Sequence, residues 1–241
     1  MPQDLATPTK DAMNKCIGKC VSREEKQTRR QCEIVAKAIE LFARHGYADT
    51  DTQLLADQLG IGKGTLYRYF SSKEELFLSA VDYGMRDLHK RMEHHLDADI
   101  DPLEKIRCGI RTYLDFFVEH LEVVELLIQE RALFKDRRKP TYFHYREKNI
   151  NRWQAVYAQL IAEGRIRPMP PERITDFVGD LLYGTMFTNY FSGRTPDPQR
   201  QAEAILDFIC FGILTDGERA ACAASAAESL SFKCPFQGTT V

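Results

Sequence analysis

Residues 52–73 read TQLLADQLGIGKGTLYRYFSSK, two short apolar-patterned segments on either side of a glycine-containing turn. Leu55, Ala56 and Leu59 share one face of a short helix that begins near Thr52. Gly60 stops it, because glycine enters the left-handed backbone region without a Cβ clash. A second helix runs from Lys63 to about Phe70, with Leu66 and Phe70 on its inner side. Ser72 followed by Glu75 is a capping box that opens the next helix. Leu76, Phe77, Ala80 and Val81 carry that helix inward, and its pattern continues to about His95.

Two short helices joined by so tight a turn form a helix-turn-helix, in which the first helix braces the second and the second enters a DNA major groove. Ala56 is small enough for the helices to approach, and Ile61 fills the wedge between them. With Leu66 and Phe70 as anchors, Lys63, Gly64, Tyr67 and Arg68 are left to face base edges. Thr52, Thr65, Tyr69 and Lys73 suit phosphate contacts, and Gln53 at the start of the bracing helix is placed to reach a base.

Upstream, Ile34, Val35, Ala38, Ile39, Leu41 and Phe42 recur at helical spacing, and Gly46 ends that helix. Downstream, Asp101 and Pro102 read as an N-cap and first-turn proline. Apolar periodicity from Ile106 to Leu121 follows, then further helices near 122–135, 141–163, 172–191 and 198–215. Gly164 with Pro168, Pro170 and Pro171 marks one break, and Gly193 with Pro196 and Pro198 another. No alternating strand pattern occurs, so the chain is expected to be all-α. Four segments are expected: an N-terminal arm over 1–22, a helix-turn-helix domain over 23–80 whose fourth helix continues as a connector to about 95, a helical ligand-binding and dimerisation domain over 100–216, and a loosely ordered tail over 217–241.

The net charge of −2 argues against a protein that coats nucleic acid, but the charge is uneven. Between Lys26 and Lys73, eight basic residues stand against five acidic ones, so that segment carries +3 and the remainder −5. A local basic surface fits a site-specific binder.

The set Leu55-Ala56, Leu59-Gly60-Ile61, Thr65-Leu66-Tyr67, Tyr69-Phe70, Lys73 and Leu76 resembles the TetR family of regulators over about residues 28–80. The resemblance implies an all-helical homodimer in which N-terminal domains bind a double-stranded operator and larger C-terminal domains bind a small-molecule effector. It implies a repressor, released when the effector sets a spacing that no longer matches successive major grooves about 34 Å apart. Gly62 departs from the pattern, since many members cap the second helix with Ser or Thr. Glycine caps less well by a few tenths of a kcal/mol, roughly.

An effector pocket between helices needs apolar walls and a few polar groups. Tyr113, Phe117, Phe134, Trp153, Tyr183 and Phe187 are the expected walls, with Glu130, Arg131, His120 and Asn189 as polar candidates. Phe177, Leu181, Phe208 and Phe211 are expected to meet a second copy. No cofactor or metal is expected: Cys16 and Cys20 lack nearby partners, and His94 and His95 diverge on a helix beside His89 and Glu93. Seven scattered cysteines read as reduced thiols. The most apolar run, Ile205 to Leu214, contains Asp207 and is too short for a bilayer, which needs roughly 20 residues. A cytoplasmic protein with no membrane partner is therefore expected. No nucleophile, base and orienting partner recur at motif spacing, so no enzyme is expected. Alternatives are an architectural DNA binder without an effector, and a metal- or redox-sensing regulator.

Overall fold

The computed structural model describes residues 23–194 and 197–211, and every regular element among them is an α-helix. Helices α1 (Arg23–Asp49), α2 (Thr52–Gln58) and α3 (Lys63–Tyr69) are followed by the long α4 (Lys73–Asp97). Beyond it lie α5 (Pro102–Glu119), α6 (Leu121–Leu133), α7 (Thr141–Lys148), α8 (Ile150–Ala162), α9 (Pro171–Phe191) and α10 (Pro198–Phe211). The arm expected over 1–22, with Cys16 and Cys20, the tail over 217–241, and the end of the helix expected to reach 215 lie outside the described residues. No helix among the described residues is long and apolar enough to cross a membrane.

The helix starts follow their sequence signals. Asp51 accepts from the Gln53 amide at 2.8 Å, Ser72 Oγ from the Glu75 amide at 3.0 Å, and Asp101 from the Leu103 amide at 2.9 Å. The capping box of α4 closes one residue early, because Glu75 accepts from the amide of Ser71 at 2.6 Å. Hydrogen bonds from the Ser71 hydroxyl and amide hold the Glu75 carboxyl below its usual range.

Two elements differ from the periodicity. The single helix expected over 141–163 is two, broken at Asn149, whose backbone sits at φ −108° and ψ 3°. That residue is buried, and its amide lies 3.0 Å from His89 Nδ1 of α4. Asparagine competes with helical bonding through its own side chain, a tertiary choice that apolar spacing does not register. Helix α1 carries on past Gly46 to Asp49, but kinks there at φ 80° and ψ 160°.

The kink creates a junction. Tyr47 N–H donates to Gln129 Oε1 of α6 at 2.8 Å, and Gln129 Nε2 donates to the Phe42 carbonyl at 3.0 Å. The second proton on Nε2 goes to Glu125 at 2.8 Å. Glu125 also accepts from the Tyr190 hydroxyl of α9. Burial, with help from the Glu125 carboxylate, pushes the Tyr190 hydroxyl up to about 12, so it remains a donor at neutral pH. Phe42, Tyr47, Phe77 and Phe134 pack around the same point, with Phe77 centred 5.2 Å from both Phe42 and Tyr47.

The core runs without interruption from α1 through α4 into the C-terminal helices. Helix α4 spans about 37 Å at 1.5 Å per residue. Its first half packs Phe77, Ala80 and Val81 beside α1, while its second half faces the C-terminal helices. Phe77 is fully buried, so Phe77→Ala is expected to cost about 3–5 kcal/mol of unfolding free energy in urea denaturation. A loss below about 1 kcal/mol would contradict this packing.

Candidate functional site

Helices α2 and α3 are joined by Leu59, Gly60, Ile61 and Gly62, with Gly60 at φ 63°. Gly60 N–H donates to the Asp57 carbonyl at 3.1 Å, and Ile61 N–H to the Ala56 carbonyl at 3.0 Å. This is a Schellman closure, which favours glycine at the left-handed position. The remaining Leu59 carbonyl accepts from Arg30 Nη2 of α1 at 2.9 Å, a long-range brace that no local sequence signal announces.

Helix α3 starts at Gly62 without a side-chain cap, its first turn closed by Thr65 and Leu66 amides on the Gly62 carbonyl at 2.8 and 3.2 Å. Leu66 and Phe70 are buried, and Lys63, Gly64, Tyr67 and Arg68 are exposed. Lys63 Nζ lies 4.0 Å from an Asp51 oxygen. The Arg68 guanidinium sits 5.7 Å from the Tyr69 ring centre. Thr65 and Tyr69 are half-buried, while Gln53 is exposed and donates to Asp57 at 2.7 Å.

The structure gives Thr52 and Lys73 partners within the protein. Thr52 faces α3 and is buried, its hydroxyl 3.2 Å from that of Tyr67. Lys73 reaches back to α1, donating to the Ala48 carbonyl at 3.0 Å with its ammonium 4.8 Å from the centre of the Tyr47 ring.

Behind this unit, α4, α5, α7, α8 and α9 line a partly open chamber. Met85, Leu88 and Met92 of α4, Ile106 and Ile110 of α5, Ile150 and Trp153 of α8, and Val178 and Leu182 of α9 form apolar walls. Gly109 lets Trp153 lie against α5, since a Cβ there would fall 2.6 Å from the indole. Tyr113, Tyr142, Tyr145 and Tyr157 add rings, and His89, Arg146, Asn149 and Thr175 add polar groups.

The chamber's hydroxyls are donors at neutral pH. Burial drives Tyr113 well above its usual range and Tyr142 up to about 12. The two hydroxyls lie 2.9 Å apart, and Tyr113 O–H also reaches Met186 Sδ at 3.7 Å, a weak acceptor. His89 is held below its usual range, mainly by burial, which favours the neutral ring.

Tyr113 and Trp153 line this chamber, and four other expected wall residues do not. Phe117 is buried against Tyr113 and Phe116, and Phe134 turns to Tyr47 and Phe77 at the α1 junction. Tyr183 packs at a tilt against Tyr142 from outside the chamber and meets Phe187 on its own helix. Helical spacing told that these rings were inward, but not which of two inward seams each would enter.

Nor do the expected polar residues line the chamber. Glu130 is buried beneath the N-terminus of α7, where it accepts from the Thr141 amide at 3.0 Å and hydroxyl at 2.7 Å and pairs with Arg137. Asn189 exchanges hydrogen bonds with Gln201 at 2.8 and 3.1 Å. His120 lies 3.1 Å from a Glu122 oxygen, and Arg131 is exposed. Sequence reading missed the α4 wall, because Met85, Leu88 and Met92 are indistinguishable from ordinary core until α5 and α8 stand off them.

Phe177, Phe208 and Phe211 are 56%, 47% and 62% exposed, and Leu181 is half-buried. Gly184 and Phe191 are also exposed on α9. Among the described residues no group of three or more His, Cys, Asp or Glu side chains is arranged to hold a metal ion.

Residues 34–80 match the family model described as bacterial regulatory proteins, tetR family. The HTH-type transcriptional regulator YfiR of Bacillus subtilis is 30% identical over 162 residues, covering 63% of this chain and 74% of that protein. The HTH-type transcriptional repressor KstR2 of Mycobacterium tuberculosis is 25% identical over 190 residues, covering 78% and 94%. A stretch of 114 residues reaches 35% identity with a further Bacillus subtilis regulator, over 39% of that protein's length. Among solved structures, the regulator FadR from Bacillus subtilis in complex with stearoyl-CoA has the same fold, with a TM-score of 0.62 at 18% identity over 76% of this chain and 99% of that one. With its braced α2–α3 pair inside the matched segment and YfiR aligned over most of its length, this chain belongs to the TetR family of DNA-binding transcriptional regulators.

Proposed function

We propose that the chain is a homodimeric repressor that leaves its operator when an apolar, acyl-bearing effector enters the chamber between α4, α5, α7, α8 and α9. The observation that carries this reading is the chamber's position: α4 supplies its wall at Met85, Leu88 and Met92, and only three residues separate its start from the last turn of α3. A rigid helix that borders both sites couples them if the effector favours one of its positions. Repression is supported by the name of KstR2, and an acyl effector by the stearoyl-CoA complex of FadR.

In this reading Lys63, Gly64, Tyr67 and Arg68 face base edges, while Gln53, Thr65 and Tyr69 flank them. The Thr52 side chain braces α3 through Tyr67, and Lys73 ties the start of α4 to α1. A second copy covers the exposed rings of α9 and α10, Phe177, Phe208 and Phe211, together with Leu181. Filling the chamber moves α4 and α6 against α1, and the Gln129 clamp on Tyr47 loosens. The domain expected over 23–80 serves as reading head, and that over 100–216 as sensor and dimerisation unit.

Fluorescence anisotropy on duplexes from the gene's own upstream region tests the reading. Dodecanoyl-CoA is expected to weaken binding by roughly 5–150-fold, the usual range of such coupling. Binding that shows no sequence preference would mark an architectural protein and overturn the reading, as would unchanged operator affinity when the ligand fills the chamber. Arg68→Ala is expected to cost about 1–3 kcal/mol of operator binding while leaving the dimer intact in light scattering. Unchanged operator affinity would remove Arg68 from the reading surface.

A further inference from the structure

The chamber has one fixed positive charge on its wall. Its lining contains Arg146 and no Lys, Asp or Glu, and its other polar groups, apart from His89, are hydroxyls, the Trp153 indole N–H and one amide. An apolar space with a single guanidinium is a poor home for a neutral hydrocarbon and a good one for an amphipathic anion.

The way Arg146 is held points the same way. Its Nη1 donates to Asp180 at 2.8 Å, and its Nη2 to the Asp176 carbonyl at 3.2 Å, with an Asp176 carboxylate oxygen 3.7 Å away. The guanidinium lies against the backbone of Gly179, where a Cβ would come within 2.7–2.9 Å of three of its atoms. The arginine side chain is 20% exposed, whereas the Asp180 side chain is 71% exposed. Asp180 is thus an outward, water-screened partner, and such pairs hold weakly. An arginine has five N–H donors, and these contacts leave several unused.

We infer that Arg146 is the anion anchor of the effector site: the ligand's apolar body fills the aromatic chamber, and its carboxylate or phosphate takes Arg146 from Asp180. This rests on the proposed reading of the chamber as the effector site. Charge-assisted bonds to a guanidinium are stronger where water is excluded than at an exposed rim, so the exchange favours the ligand.

The chain carries one tryptophan, Trp153, and it lines the chamber, so its fluorescence reports filling directly and without DNA. Dodecanoate, dodecanoyl-CoA and 1-dodecanol are titrated against the natural protein, Arg146→Gln and Asp180→Asn. Arg146→Gln is expected to weaken at least one anion by about tenfold or more and leave dodecanol unchanged. Loss confined to dodecanoate identifies a carboxylate, and loss confined to dodecanoyl-CoA a phosphate. Asp180→Asn, at an exposed position, is expected to tighten the same anion severalfold, a gain that misfolding does not produce. Equal binding of dodecanol and both anions, unaffected by either substitution, would overturn the anchor while leaving the chamber as effector site. Loss of all three probes in Arg146→Gln, with no gain in Asp180→Asn, would make the arginine a structural brace and overturn the anchor too. Failure of every probe to perturb Trp153 in the natural protein would overturn the acyl reading together with the anchor.

Discussion

The Gln129 side chain occupies the point where the two halves of the molecule meet, and both its oxygen and its nitrogen are hydrogen-bonded. Its oxygen accepts from Tyr47 N–H just beyond the α1 kink, and its nitrogen donates to the Phe42 carbonyl before the kink and to Glu125 on its own helix. These partners permit only one orientation of the amide, since a backbone N–H must meet oxygen and a carbonyl must meet nitrogen. The geometry of α1 against α6 is therefore discrete. Through Glu125 and Tyr190 the same network reaches α9, one of the chamber's walls.

Residue Glu130, next in sequence, faces the other direction. Buried beneath α7, it fixes the N-terminus of the helix that carries Tyr142, Tyr145 and Arg146 into the chamber. Adjacent positions on one helix thus grip the DNA-reading half and the chamber wall. Helix α4 supplies a second connection, passing from the α3 boundary to Met92 in a single rigid rod. In the proposed reading, a ligand in the chamber shifts this packing and with it the elements that hold the brace.

Much of the reading half was legible in the sequence because its signals are local. Gly60, the Ser72 cap and the Leu66 and Phe70 anchors each act within a turn or two of their own position. The chamber was legible only in part, since helical periodicity separates inside from outside but does not distinguish one inside seam from another. Phe134 and Phe187 satisfied the same spacing rule as Trp153, yet Phe134 went to the α1 junction and Phe187 to the outer ring cluster. Asn149 and His89 were beyond reach for a different reason: their pairing joins residues sixty apart and breaks a helix that the apolar pattern alone would continue. The Arg30 brace and the diversion of Thr52 and Lys73 into internal contacts are likewise tertiary facts.

If the junction at Gln129 transmits occupancy of the chamber to the reading head, its opening is observable at one place. Hydrogen exchange across residues 43–50 of the full chain, measured with and without dodecanoyl-CoA at concentrations that saturate the Trp153 signal, tests this most directly. The account predicts faster exchange around Tyr47 when the chamber is filled, with Phe77 to Val81 in the adjoining core unchanged. Exchange at 43–50 that stays constant while the ligand releases operator DNA would contradict it.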